Sequence, residues 1–140
     1  MKPCVRDKIE RSEEEWKRTL SPEQFKILRQ HGTEMPFRNR YWDNRAKGMY
    51  LCAGCSSELF HSDTKFDSRT GWPSFWAPIC DGAVEVVADK RFGMCRNAII
   101  CARCGGHLGH VFEDGPPPTG LRYCMNSGAM EFKEEGVDPK

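Results

Sequence analysis

Eight cysteines are the residues most able to do chemistry in this chain, at positions 4, 52, 55, 80, 95, 101, 104 and 124. Four of them form two C-x-x-C pairs, Cys52-Ala53-Gly54-Cys55 and Cys101-Ala102-Arg103-Cys104. Small residues inside each pair let the backbone fold back around a metal, and two such knuckles supply the four thiolates of a closed, tetrahedral zinc site. The 45 residues between the pairs exceed the spacing of a compact ribbon. One structural zinc held by Cys52, Cys55, Cys101 and Cys104 should therefore staple two strand-turn units that are distant in sequence. A redox C-x-x-C at a helix start is disfavoured, because neither pair leads into a helical pattern.

Three further segments are unusual for plain scaffold. Thr70-Gly71-Trp72-Pro73-Ser74-Phe75-Trp76 reads as a loop that presents aromatic faces, with Trp72 held between Gly and Pro. Cys104-Gly105-Gly106-His107-Leu108-Gly109-His110-Val111-Phe112 sets two histidines just past a knuckle. If thiolates already fill the metal site, His107 and His110 become candidates for acid–base work. In Arg122-Tyr123-Cys124-Met125-Asn126-Ser127, residues 122, 124 and 126 share one face of a strand, so a thiol stands between a guanidinium and a carboxamide. A neighbouring cation favours thiolate over thiol, which suits a nucleophile. Asn126 is placed to donate to a substrate or to hold a histidine. Cys80 and Cys95 read as small buried hydrophobes, and Cys4 lies in a polar, mobile terminus.

The elements that must position these groups follow from periodicity and punctuation. Ser12-Glu13-Glu14-Glu15 is a capping box that opens a short helix to about Leu20. Ser21-Pro22-Glu23-Gln24 opens a second, and His31-Gly32 closes it with Gly32 taking positive φ. Beyond Pro36 the texture is β. Short runs at 48–52, 57–60, 84–87, 97–101, 110–113, 121–126 and 130–133 alternate with Gly, Pro, Asn and Asp. No run is followed by a long helix, so antiparallel sheets around one core are expected rather than parallel βαβ units. The 140 residues suit a single domain, with a helical segment over about 12–32, a β core over about 45–133 and a frayed tail over 134–140.

Composition narrows the function classes. The formal charge is +1, from 21 Lys and Arg against 20 Asp and Glu, so no strong field draws the chain to nucleic acid or an anionic bilayer. No apolar run approaches the ~20 residues of a membrane span. The charged start carries no secretory signal, so a cytoplasmic location with reduced thiols is expected. Nothing demands an oligomer, and a monomer is expected.

Together these segments resemble the B-type methionine sulfoxide reductases from about Leu20 to Phe132. The resemblance rests on His31-Gly32-Thr33-Glu34 with Pro36-Phe37, both C-x-x-C pairs, Gly71-Trp72-Pro73-Ser74-Phe75 and Gly93-Met94 with Arg96. It also rests on His107-Leu108-Gly109-His110-Val111-Phe112 and on Arg122-Tyr123-Cys124 with Asn126-Ser127. It implies a mainly β, two-sheet fold with N-terminal helices, structural zinc on the four knuckle thiolates, and Cys124 as nucleophile. It further implies a substrate pocket lined by Trp72, His107, His110, Phe112 and Asn126, and electrons from thioredoxin.

The residues suit that chemistry. A thiolate must attack the sulfoxide sulfur, and the departing oxygen must gain a proton. Cys124 supplies the first, and His110, by preference, the second. Arg122 flanks the thiol, and an indole face such as Trp72 suits an apolar methyl on a sulfur gaining positive charge. The resulting sulfenic acid condenses with a second thiol to a disulfide that thioredoxin reduces. One departure stands out. The resolving cysteine that many relatives carry just before Gly-Trp-Pro-Ser-Phe is Thr70 here. Cys4 is the preferred substitute, because closing a long loop costs only a few RT. Cys80 follows and Cys95 is third, while direct attack by a reductant thiol on the sulfenic acid needs none of them. The rival classes are a zinc-ribbon-like binding module without catalysis and another thiol enzyme, such as a Cys-His hydrolase or a peroxidase. The first leaves the Cys124 cluster and the Trp72 loop without a purpose.

Overall fold

The computed structural model of the chain describes residues 7–90 and 96–135. Two short helices open it, α1 (Glu13–Thr19) and α2 (Pro22–Gln30). Each begins with a complete capping box, Ser12 with Glu15 and Ser21 with Gln24, and α2 has proline in its first turn. The end of α2 differs from expectation. His31, not Gly32, takes the left-handed conformation, with φ 57°. Gly32 serves by lacking a side chain: its N–H reaches the Lys26 carbonyl at 2.8 Å, and a Cβ there would sit 2.9 Å from that oxygen. The Schellman-type closure survives, with the two roles exchanged.

Nine strands follow among the described residues, all paired antiparallel. β1 (Gly48–Cys52), β2 (Glu58–His61) and β9 (Met130–Glu134) form a three-stranded sheet in the order β2-β1-β9. The six-stranded sheet runs β3 (Lys65–Phe66), β4 (Ser74–Phe75), β8 (Arg122–Met125), β7 (His107–Phe112), β6 (Arg96–Cys101) and β5 (Val84–Asp89). The architecture is thus mainly β, two antiparallel sheets with two short helices. The Trp72 loop is not wholly irregular, because its Ser74-Phe75 end is β4, a two-residue strand too short for alternation to reveal. The tail expected to fray starts within the fold: Glu134 closes β9, and Glu135 bonds Lys47 through its N–H and His61 through its carboxylate.

Aromatic packing holds the two sheets together. Tyr50 of β1, Phe60 of β2 and Phe75 of β4 are fully buried. Phe60 and Phe75 stack at 4.5 Å, and Tyr50 meets the Phe75 ring edge-on at 5.1 Å. Leu59, Ile99, Leu108, Met125 and Met130 complete the centre. Leu108 and Met125 are immediate chain neighbours of Gly109 and Cys124, so the core clamps the strands that carry the chemistry. No helix among the described residues is long and apolar enough to cross a membrane.

Candidate active site and metal centre

The two C-x-x-C pairs are turns of hairpins that belong to different sheets. Residues 52–57 join β1 to β2, and residues 101–106 join β6 to β7. The turns follow one pattern. The first cysteine's N–H bonds the carbonyl five residues on (Cys52 to Ser57, Cys101 to Gly106), and its carbonyl accepts from the residue four on. That fourth residue has positive φ in both, 64° at Ser56 and 75° at Gly105. The four sulfurs lie within 4.8 Å of one another, with Cys52–Cys104 at 3.7 Å and Cys55–Cys101 at 3.6 Å. Ligands ~2.3 Å from a tetrahedral zinc stand about 3.8 Å apart, whereas a disulfide needs ~2.05 Å. The quartet therefore fits a metal and is unbridged. Leu28 of α2 packs into the gap between Gly54 and Gly106, and Arg29 donates to the Cys104 carbonyl at 3.0 Å. Helices, knuckles and both sheets converge at this point.

The thiol proposed from the third segment opens onto a cavity of about 280 Å³, lined among others by Thr70, Trp72, Arg96, His110, Phe112 and Arg122, with Cys124 and Asn126 on the same wall. Cys124 lies in β8 between two partners. It pairs with Ser74 of β4 on one side and with His110 of β7 on the other. Opposed residues in antiparallel strands hold their Cβ atoms roughly 4.5–5.5 Å apart, within reach of a shared ligand. The close fit depends on Gly109, where a Cβ would collide with the Cys124 carbonyl oxygen and lie 2.9 Å from Met125 Cα.

Electrostatics around Cys124 depart from the sequence expectation. Burial pushes the thiol above its ordinary range, and the Arg122 charge and hydrogen bonds from Thr70 and Arg122 only partly offset this. Arg122 is itself restrained. It donates twice to Asp114, at 2.9 and 3.2 Å, and lies over the Phe112 ring at 4.3 Å. In the resting protein, then, the thiol form is favoured.

His110 is buried, and its Nε2 lies 2.9 Å from Oδ2 of the buried Asp89. Arg96 Nη2 stands 3.6 Å from the same oxygen. Arg96 lines the cavity, and its Nε is buried with no hydrogen-bond partner among the described residues. Asp89 escaped the sequence reading, since a lone Asp ending a half-exposed strand gives no local signal. His107 does not line the cavity. Its ring sits behind His110, 5.3 Å between centroids, and 5.0 Å from His31. Residues three apart on a regular strand face opposite ways. Here the register slips between Ile99 and Ile100, so that Leu108 is passed over and the two imidazoles meet.

Asn126 is committed to the scaffold rather than to a histidine. Its Nδ2 donates to the Leu108 carbonyl at 3.2 Å, and its Oδ1 accepts the Glu34 N–H at 3.3 Å. Cys80 is buried and disulfide-bonded, not the free thiol expected of it, a pairing that spacing does not disclose. Cys4 and Cys95 lie outside the described residues, as does the Gly93-Met94 motif.

Two antiparallel sheets are thus joined where four cysteines cluster, and a thiol, an imidazole and an indole line one cavity. Residues 20–134 match the SelR domain, and the chain belongs to that family. It is 54% identical over 127 residues to the peptide methionine sulfoxide reductase MsrB of Leptospira interrogans (91% of this chain, 97% of that one). The protein of the same name from Agrobacterium fabrum is 53% identical over 133 residues (95% and 98%). That from Methanosarcina barkeri is 56% identical over 127 residues (91% and 89%).

Two outcomes follow from this geometry. Cys52→Ser removes one ligand, so bound zinc, measured by elemental analysis, should fall below one per chain, and thermal stability should fall with it, because metal binding and folding are linked. A variant that lost zinc yet melted at the wild-type temperature would contradict the stapling role. Alkylation of Cys124 by iodoacetamide, followed by peptide mapping, should rise with pH to a midpoint above that of an ordinary thiol. Arg122→Ala should move the midpoint higher still, since it removes the group that favours the thiolate. A lower midpoint in the variant would reverse the assigned sign.

Proposed function

We propose that this chain reduces methionine-R-sulfoxide, protein-bound or free, to methionine, acting as a peptide-methionine (R)-S-oxide reductase with Cys124 as nucleophile. The observation that carries the reading is the cross-strand pairing of Cys124 with His110 at a cavity that Trp72 also lines. Family membership and the names of relatives identical at 53–56% of positions support the reaction, and the R epimer rests on the family alone.

The substrate methyl sulfinyl group enters with its methyl against the Trp72 indole. The Cys124 sulfur attacks the sulfoxide sulfur while the oxygen gains a proton. His110 is the acid. Its Nε2 is committed to Asp89, a contact that steadies the ring, so Nδ1 delivers the proton. Burial disfavours the Cys124 thiolate, and the Arg122 charge offsets part of that cost as the sulfur attacks. The protonated oxygen then passes from the substrate sulfur to the Cys124 sulfur as the transient sulfur–sulfur bond breaks, and methionine leaves with that electron pair. The two-electron oxidation of the thiol to sulfenic acid balances the reduction of the substrate. His107 backs His110, while Phe112 and Asn126 shape the wall. Four thiolates leave a bound zinc no open position, so its contribution is to folding.

A second thiol then displaces water from the sulfenic acid, giving a disulfide that thioredoxin reduces. Thr70 hydrogen-bonds the Cys124 thiol, so the position that holds the resolving cysteine in many relatives touches the nucleophile here but offers only a hydroxyl. Cys4 is the preferred resolving thiol. Cys80 would first have to be released from its disulfide. The protein is proposed to work as a cytoplasmic monomer in repair of oxidised methionine.

Cys124→Ser should abolish reduction of the R epimer in a thioredoxin-coupled assay while leaving zinc content intact. Retained turnover would refute the nucleophile. His110→Ala should slow the sulfoxide step by roughly 10²-fold or more at neutral pH. The loss should be smaller in acid, where hydronium substitutes, and Asp89→Asn should give a weaker loss with the same pH trend. A pH-independent loss in both would remove His110 from the acid's role.

A further inference from the structure

Glu34 lies outside the cavity wall but makes four hydrogen bonds, two of them to the cavity-lining residues Trp72 and Asn126. Its backbone N–H donates to Asn126 Oδ1 at 3.3 Å, and its backbone carbonyl accepts the Trp72 indole N–H at 3.0 Å. Its carboxylate accepts the N–H of Ser127 through Oε1 and that of Gly128 through Oε2, the latter at 3.1 Å. Ser127 and Gly128 belong to the 3-10 turn (Ser127–Ala129) that Asn126 caps. One residue thus grips a substrate-facing indole, a carboxamide on another wall and the turn that carries the carboxamide.

The carboxylate is half-buried, and burial holds its pKa above the ordinary range despite the two N–H donors. It makes no ion pair among the described residues, and the like charge of Glu23 adds to the upward shift. A desolvated carboxylate without a cation is costly to keep. What it gains here is bidentate contact with two peptide N–H groups, which a neutral amide cannot match with one oxygen. Trp72 and Asn126 lie on segments also tied through the sheet, where Met125 N–H bonds the Pro73 carbonyl and β4 pairs with β8. Asn39 ties the same segments at neighbouring residues, donating to the Gly71 carbonyl at 2.8 Å and accepting the Ser127 hydroxyl at 2.7 Å. Glu34 alone among these ties holds the indole and the carboxamide themselves.

We propose that Glu34 is a positioning residue that fixes the distance between Trp72 and Asn126, and thereby makes the cavity selective for a methyl over a larger alkyl group on the sulfoxide sulfur. The inference deepens the proposed reductase activity and rests on it for its substrate. Its geometric half stands on the four contacts alone.

The test compares wild type with Glu34→Gln and Glu34→Ala, using methionine sulfoxide and ethionine sulfoxide as probes. One methylene in a fitted apolar pocket is worth roughly 10–200-fold in kcat/KM. Wild type should favour the methyl substrate by about that range. Glu34→Ala should bring the ratio down to ~3-fold or less, through the KM of the methyl substrate more than through kcat, and Glu34→Gln should fall between. In parallel, hydrogen-exchange protection of the Trp72 indole N–H, assigned with Trp72→Phe, should drop in both variants at unchanged zinc content. Equal losses on both substrates with the ratio preserved would overturn the selectivity, and unchanged indole protection would overturn the positioning. If Glu34→Ala fails to fold, Glu34→Gln decides both points. If wild type reduced neither sulfoxide, the reductase reading would fall, and the indole measurement would still judge the positioning.

Discussion

The register of β8 between β4 and β7 is the constraint on which the rest depends. Two backbone ladders fix Cys124 opposite Ser74 and His110. A slip of one residue would turn the thiol to the other face of the sheet, because side-chain direction alternates with period two. The register is held by burial on both flanks of the thiol, since Phe75, Leu108 and Met125 are fully buried beside Ser74, Gly109 and Cys124. Gly109 admits the close approach, since any side chain there would meet the β8 backbone. Reactive geometry is therefore a by-product of core packing, not of a flexible loop.

The cysteine quartet performs a different task on the same scaffold. By joining the β1–β2 turn to the β6–β7 turn, it links the two sheets at one end, and α2 seats Leu28 between the knuckles. β7 runs directly from the second knuckle to His110. A metal on the quartet thus restrains the strand bearing the imidazole while its closed thiolate shell keeps it apart from the reacting sulfur. Among the described residues the cysteines thus fall into the clustered quartet, the cavity-lining Cys124, proposed as the nucleophile, and Cys80, which is held in a disulfide.

Local signals were legible and long-range ones were not. Both capping boxes, the two knuckles and the shared face of Arg122, Cys124 and Asn126 could be read because each depends on spacing within a few residues. Asp89 and Glu34 could not, since their meaning lies in partners 21 and 92 residues away, His110 and Asn126. The meeting of His107 with His110 depends on a bulge, which no alternation pattern predicts. Spacing places the Arg122 cation beside the thiol, but burial outweighs its effect, because spacing conveys proximity and not desolvation. Asn126 lines the cavity as its strand face implies, and its two backbone partners, Leu108 and Glu34, lie 18 and 92 residues away, beyond the reach of local spacing.

The most direct test of the division between reactive and braced sulfurs is a single turnover without added reductant. The zinc-loaded protein is mixed with one equivalent of separated R or S methionine sulfoxide, methionine is counted, and the oxidised cysteine is mapped by mass spectrometry. One methionine per chain from the R epimer, with the new sulfenic acid or disulfide at Cys124 and all four knuckle thiols unchanged, is the predicted result. Methionine formed with Cys124 still a free thiol, or oxidation confined to Cys52, Cys55, Cys101 or Cys104, would contradict the account.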